Sequence, residues 1–112
     1  MESLRQQKVA RLLQREIGSL FQTELKHFCR GNMVSVTIVR VTPDLSYARV
    51  YLSVFPEKKP SEIVDELNDR IHEVNAALHP RIRHQFRKMP EVKFFVDDSL
   101  DYAARIEELL SK

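Results

Sequence analysis

The spacing of apolar residues changes at Gly31-Asn32, and that change limits what the chain can fold into. Before it, Leu4, Val9, Leu12, Leu13, Ile17, Leu20, Phe21, Leu25 and Phe28 recur at helical spacing. This predicts one long helix, opened by a capping box of Ser3 with Gln6. Gly18 inside it costs about 1 kcal/mol relative to alanine, which suggests close packing there. After the change come MVSVTIVRV (33 to 41) and SYARVYLSVF (46 to 55), both rich in β-branched and aromatic residues and joined by Thr42-Pro43-Asp44-Leu45. The second alternates, with Ala48, Val50, Leu52 and Val54 on one face and Tyr47, Arg49, Tyr51 and Ser53 on the other, so an antiparallel hairpin is expected. The first is less regular. Val34, Val36 and Ile38 point one way and Met33, Val39 and Val41 the other, as where both faces are partly covered.

Helical spacing returns after the linker Pro56-Glu57-Lys58-Lys59-Pro60. Ser61 is the expected cap of a helix carrying Ile63, Val64, Leu67, Ile71, Val74 and Leu78. Pro80 disfavours the α conformation at His79 and lacks an N–H, yet is well placed to start a helix. A bend at His79-Pro80 and a second, short helix to Met89 follow. Pro90 ends it, and EVKFFVD (91 to 97) reads as a third strand with Val92, Phe94 and Val96 inward. Asp98-Ser99 then caps a last helix with Tyr102, Ala103, Ile106, Leu109 and Leu110. The order α-β-β-α-α-β-α describes a single α+β domain over residues 1–112, a three-stranded sheet with helices on one side.

Composition narrows the function classes. At 112 residues the chain can bury a core without staples. One cysteine, Cys29, excludes an internal disulfide and fits a reducing cytoplasm; with scattered histidines it makes no zinc spacing, so no metal or other cofactor is expected. No apolar run approaches the roughly 20 residues of a membrane span, and MESLRQQK lacks a signal peptide's apolar core. The net charge of +2 hides segregation: residues 1–30 hold six Lys/Arg against three acids and 70–93 six against two, whereas 57–69 and 97–112 each hold five acids against two bases. Alternating basic and acidic blocks point to a polyanionic partner.

The densest basic stretch is HPRIRHQFRKMP (79 to 90). On the predicted short helix, Ile82, Phe86 and Met89 form the buried stripe and Arg81, Arg83, His84, Arg87 and Lys88 take the opposite side. A plain solvated face usually mixes signs and gains i,i+4 pairs; this one has no acid. Arg81 and Arg83 would also sit in the helix's first turn, where the dipole disfavours cations. Such a face suits a phosphate backbone, which releases counterions on meeting each cation. Lys8, Arg11 and Arg15 form a second cationic row on the first helix. These eight residues are the candidate RNA-binding set, and no catalytic residue is expected.

The phrases DLSYARVYLSVF, RIRHQFRKMPEVKFFVDDSLDYAARIEELL and RQQKVARLLQREIGSLF together resemble the bacterial ribosome-binding factor A family. The resemblance implies a type II KH-like fold, α-β-β-α-α-β, here with an added C-terminal helix. It further implies a non-enzymatic, cytoplasmic RNA-binding factor of ribosome biogenesis. Such a factor binds the free small ribosomal subunit and assists processing and folding of its ribosomal RNA, notably in the cold. A monomer is expected. KH domains that read single strands clamp them with a Gly-x-x-Gly loop, and this family carries an Ala-x-Gly break instead. Here the only glycines are Gly18 and Gly31, neither between the helices, so recognition through shape and phosphates is expected, with His79-Pro80 supplying the bend.

The same residues admit other functions. A protein-interaction module would use a sheet edge or apolar patch. A small hydrolase would gather His84 with Asp97 or Asp98, although a turn before a capped helix explains those acids better. Tyr47, Tyr51 and Phe95 are able to stack bases, but on strands such residues more commonly pack under a helix. Cys29, next to a helix-end Phe28, is expected to be semi-buried and inert.

Overall fold

The capping box at Ser3 starts the first helix. In the computed structural model, which describes residues 2–55 and 59–97, the Ser3 hydroxyl accepts from the Gln6 N–H (3.1 Å) and Gln6 Oε1 accepts from the Ser3 N–H (2.8 Å). Helix α1 runs Leu4–Leu20 and buries Leu13, Ile17 and Leu20 completely. It is shorter than its apolar spacing predicts. Leu25 and Phe28 are buried, but from a turn and a 3-10 segment, Lys26–Cys29. At the end of α1 the Thr23 hydroxyl donates to the Ser19 carbonyl (3.0 Å), a local bond that competes with helix propagation. Arg30 and Gly31, both left-handed at φ 52° and 82°, then turn the chain into the sheet. The close packing expected at Gly18 is absent, since a Cβ there would meet open space.

Strands β1 (Met33–Val41), β2 (Tyr47–Phe55) and β3 (Glu91–Val96) form one mixed sheet in the order β1-β2-β3. β1 and β2 pair antiparallel and β2 and β3 parallel. The irregularity of β1 has a cause other than two-sided cover. The register shifts between Val36 and Ile38, so Thr37 is an inserted residue. That bulge changes the phase of the alternation. Val34 and Val36 before it, and Val39 and Val41 after it, all pack on the core, while Ile38 and Arg40 lie on the other face. Thr37 is held by Asp97, whose Oδ2 accepts from the Thr37 hydroxyl at 2.6 Å. Asp97 thus secures the end of β3.

The connection between β2 and β3 departs most from expectation. α2 spans Pro60–Asp69 with Pro60 in the first turn; Lys59 takes the cap position, and Ser61 does not cap. α3 spans Ile71–Ile82. The break between them is at Arg70 (φ −108°, ψ 36°) rather than at His79-Pro80. Two local devices hold it there. Asn68, a poor helix former with a short amide, bonds both the N–H and the carbonyl of Phe94 at 2.9 Å. Arg70 pairs with Glu66 (3.4 Å) and Glu73 (2.8 Å) and lies 5.0 Å above the Phe28 ring. Pro80 stays inside α3 because only two helical residues follow it. The carbonyl it deprives of a donor belongs to exposed Ala76, within reach of water.

The predicted short helix to Met89 does not form. After Ile82 comes a 3-10 turn, Arg83–Gln85, and Phe86 is already extended. Ile82, Phe86 and Met89 still pack on the core, so the expected burial holds although the expected backbone does not. The sequence α-β-β-α-α-β is therefore present, as in a KH-like α+β fold, with its second helical boundary ten residues earlier than expected. The predicted last helix, its Asp98-Ser99 cap and most of the 56–60 linker lie outside the described residues.

Candidate nucleic-acid interface

On α1, Lys8, Arg11 and Arg15 occur three and four residues apart and are all exposed. They flank an open groove of about 450 Å³ whose other wall is Gln85 of the 3-10 turn. The helix row and the 79–90 segment, distant in sequence, are thereby brought side by side. A second recess of about 220 Å³ is lined by Arg5, Arg87 and Lys88 together with the Asp44 carboxylate, Leu45, Ser46 and Phe86. Arg5, one turn before Lys8, is a site residue absent from the sequence reading, although its spacing from Lys8 was a usable signal.

The four cations of the 79–90 segment and His84 separate into two groups. Arg81, in the last turn of α3, reaches back to α1. Its guanidinium lies 3.5 Å from Glu16, 3.0 Å from the Ser19 hydroxyl, 3.4 Å from the Thr23 hydroxyl and 3.4 Å from Glu24. Its side chain is only 26% exposed. Arg81 is a strap between helices, neutralised by carboxylates, and the helix dipole favours it at a C-terminus. The expectation that it opposes local stability is reversed. Arg83, His84, Arg87 and Lys88 are exposed on the turn and the extended stretch beyond it, and none forms an ion pair with another described residue. The same holds for Lys8 and Arg11, while Arg15 makes one exposed contact with Glu16 at 3.4 Å, of a kind worth little in water.

Of these, Lys8 and Arg11 line the α1 groove with Arg15, and Arg87 and Lys88 line the recess beside Arg5; Arg83 and His84 line neither. The extended backbone after Gln85 removes the helical geometry expected for 83–88. The charges follow the edge of a groove rather than one helix face, an arrangement able to follow a chain of phosphates. No glycine loop lies between α2 and α3, where Arg70 makes the break.

Among the described residues, no site is assembled for the hydrolase reading. Among the described residues no three His, Cys, Asp or Glu side chains are grouped to hold a metal ion. His84 lies before β3 and Asp97 after it, at opposite ends of the strand. Cys29 is buried, with its thiol against the Phe21 carbonyl (3.5 Å), and burial pushes its pKa up despite the opposing charge of Lys26. That is an unreactive environment. Among the described residues no helix is long and apolar enough to cross a membrane.

Tyr47, Tyr51 and Phe95, expected to pack under a helix, lie on the face of the sheet opposite the buried residues. β2 buries Ala48, Val50 and Leu52 and β3 buries Val92 and Phe94, which leaves the intervening side chains on the far side.

Comparison with known proteins gives one answer. The sequence model of the family described as Ribosome-binding factor A matches residues 5–110. A Ribosome-binding factor A of Christiangramia forsetii is 43% identical over 96% of this chain and 82% of its own length. That of Cytophaga hutchinsonii is 41% identical over 100% and 84%. Among solved structures, the crystal structure of ribosome-binding factor A from Thermus thermophilus superposes with a TM-score of 0.66 at 23% identity, covering 81% of this chain and 94% of that one. A Thermus thermophilus ribosome binding factor A model fitted into a cryo-EM map of a 30S complex gives 0.56 at 24% identity, covering 78% and 89%.

Proposed function

Since the chain belongs to the ribosome-binding factor A family, we propose that it binds the free small ribosomal subunit and assists the processing and folding of its ribosomal RNA, without catalysing a reaction. The partner is ribosomal RNA, met in the cytoplasm by a monomer through phosphates. The observation that carries this reading is the groove in which Lys8, Arg11 and Arg15 face Gln85, with a neighbouring recess in which Arg5, Arg87 and Lys88 surround Asp44. Cations gathered from two parts of the chain, most of them without carboxylate partners among the described residues, have their natural counterions in a phosphate backbone. Arg81 is left out of this set because its charge is already met.

Co-sedimentation with purified small subunits tests the proposal. The variant Lys8→Glu, Arg11→Glu, Arg87→Glu, Lys88→Glu should lose binding at least tenfold with its melting temperature unchanged, since all four side chains are exposed. Wild-type binding should fall by about 10³ between about 50 and 200 mM salt. Binding that survives both changes refutes the proposal. It would favour the protein-interaction module, for which Met33 and Phe55, paired in register and 70% and 71% exposed, are the apolar patch.

A further inference from the structure

The sheet face that no helix covers among the described residues carries two rows that only strand register reveals. Arg40 of β1, Arg49 of β2 and Lys93 of β3 are consecutive partners across all three strands. Two residues along each strand in the same register, Ile38, Tyr51 and Phe95 form the neighbouring row. All three cations are exposed, whereas the second row is half-buried. The Tyr51 and Phe95 rings are nearly parallel, 28° apart with centroids 5.4 Å from each other, and Lys93 Nζ lies 5.6 Å from the centre of the Phe95 ring.

Folding does not explain the first row, and it explains the second only as a cross-strand aromatic pair. Like charges placed directly opposite on a sheet cost stability, and here three stand in line. Arg40 has one exposed contact with Glu2 at 3.4 Å, and Arg49 and Lys93 have no ion pair with another described residue. The aromatic pair lies on the face away from α1, α2 and α3, so it contributes nothing to the helix-packed core. Cations at one level and flat aromatic faces at the next are what single-stranded nucleic acid requires: phosphates on the first, unstacked bases on the second. Duplex RNA, with its bases stacked inside, has no use for the aromatic row.

From this geometry we infer that the open sheet face is a second RNA site. Single-stranded RNA lies across the strands, its bases stack on Tyr51 and Phe95 beside Ile38, and its phosphates meet Arg40, Arg49 and Lys93. The site is separate from the α1 groove; only the choice of RNA over DNA rests on the function proposed above.

Fluorescence anisotropy with a labelled single-stranded oligouridylate of about a dozen nucleotides, titrated with the full chain, tests the inference. The chain has no tryptophan and three tyrosines, so quenching of tyrosine emission reports stacking directly. Tyr51→Ser and Phe95→Ser should each weaken binding about tenfold, and Tyr51→Phe should keep the affinity while losing most of the quenching. Arg49→Glu, which leaves the rings in place, gives an independent arm should the serine variants fold poorly. All of these should still sediment with small subunits, and the four-fold α1-groove variant should still bind the oligonucleotide.

The inference is overturned if the wild-type chain does not bind the oligonucleotide, or if Tyr51→Ser and Arg49→Glu leave the affinity unchanged. It is also overturned if hydroxyl-radical footprinting shows Tyr51 and Phe95 protected before RNA is added. In that case the face is covered by residues 98–112 of the same chain or by a second copy. Failure here with subunit binding retained leaves the proposed function standing.

Discussion

The two sides of this molecule carry similar positive charge built in different ways. Along the α1 groove the cations come from a helix row and an extended segment, and they border a surface with little aromatic character. Across the open sheet they stand in strict register beside a stacked aromatic pair. The difference teaches that charge alone does not define a ligand. A groove edged with cations holds any chain of phosphates of suitable shape, whereas cations set next to exposed rings select one whose bases are free. The 79–90 segment shows the same lesson on a smaller scale. Arg81 and Arg83 are two residues apart, yet one is consumed by Glu16 and Glu24 and the other is open to solvent.

The strongest way to break the comparison is to remove what both sides share. Phe94 is 1% exposed and sits on β3 between the sheet and the helices, against Phe21 at a centroid distance of 6.3 Å. Phe94→Ala should cost about 3–5 kcal/mol, seen as a large drop in the denaturant midpoint, and both binding activities should disappear together. A variant that melts normally would show that the two faces do not depend on one core.

Next in size is the contrast between neighbouring arginines. Arg81→Ala removes the strap to α1 and should cost roughly 1–2 kcal/mol in thermal or urea unfolding, given that the charged hydrogen bonds are partly screened. Arg83→Ala should leave stability within about 0.5 kcal/mol and weaken subunit binding instead. Equal effects on stability would mean that Arg81 is no more structural than Arg83.

The smallest effect is on pH dependence. Hydrogen bonds from Thr42 and Ser46 hold the Asp44 carboxyl below its ordinary pKa, and Arg30, then Arg70, do the same for Glu66. A carboxylate whose pKa is lowered by folding stabilises the fold above its unfolded pKa, about 4, and loses that contribution as pH falls through the folded value. Asp44 is exposed and Glu66 is partly buried among arginines at the surface, so the urea midpoint should decline only slightly from pH 6 to pH 3. Asp44→Asn should flatten part of the decline, and an unchanged profile would remove Asp44 from the account.

Much of this architecture was legible in the sequence, because β2 alternates cleanly and α1 announces its cap. What was not legible depended on partners far along the chain. The bulge at Thr37 is fixed by Asp97, 60 residues later, and the helix break at Arg70 by the bonds of Asn68 to Phe94. By residue type Pro80 is the stronger breaker, but a proline so close to a helix end costs little when the orphaned carbonyl meets water. The groove cations were recognisable from their spacing. The fate of Arg81 was not, since Glu16 and Glu24 approach it only after α1 and α3 have packed. The sheet row of Arg40, Arg49 and Lys93 required a register that no single strand contains.

Three amide side chains reach the outer strands of the sheet: Gln6 donates to the Val41 carbonyl (2.8 Å), Gln14 to that of Val36 (3.0 Å), and Asn68 bonds both backbone groups of Phe94. They blunt the rims where a stray strand would otherwise dock and begin an aggregate. Because they are neutral, they do so without altering the field around the molecule, and the surface charge stays free for a partner instead of being committed to keeping copies apart.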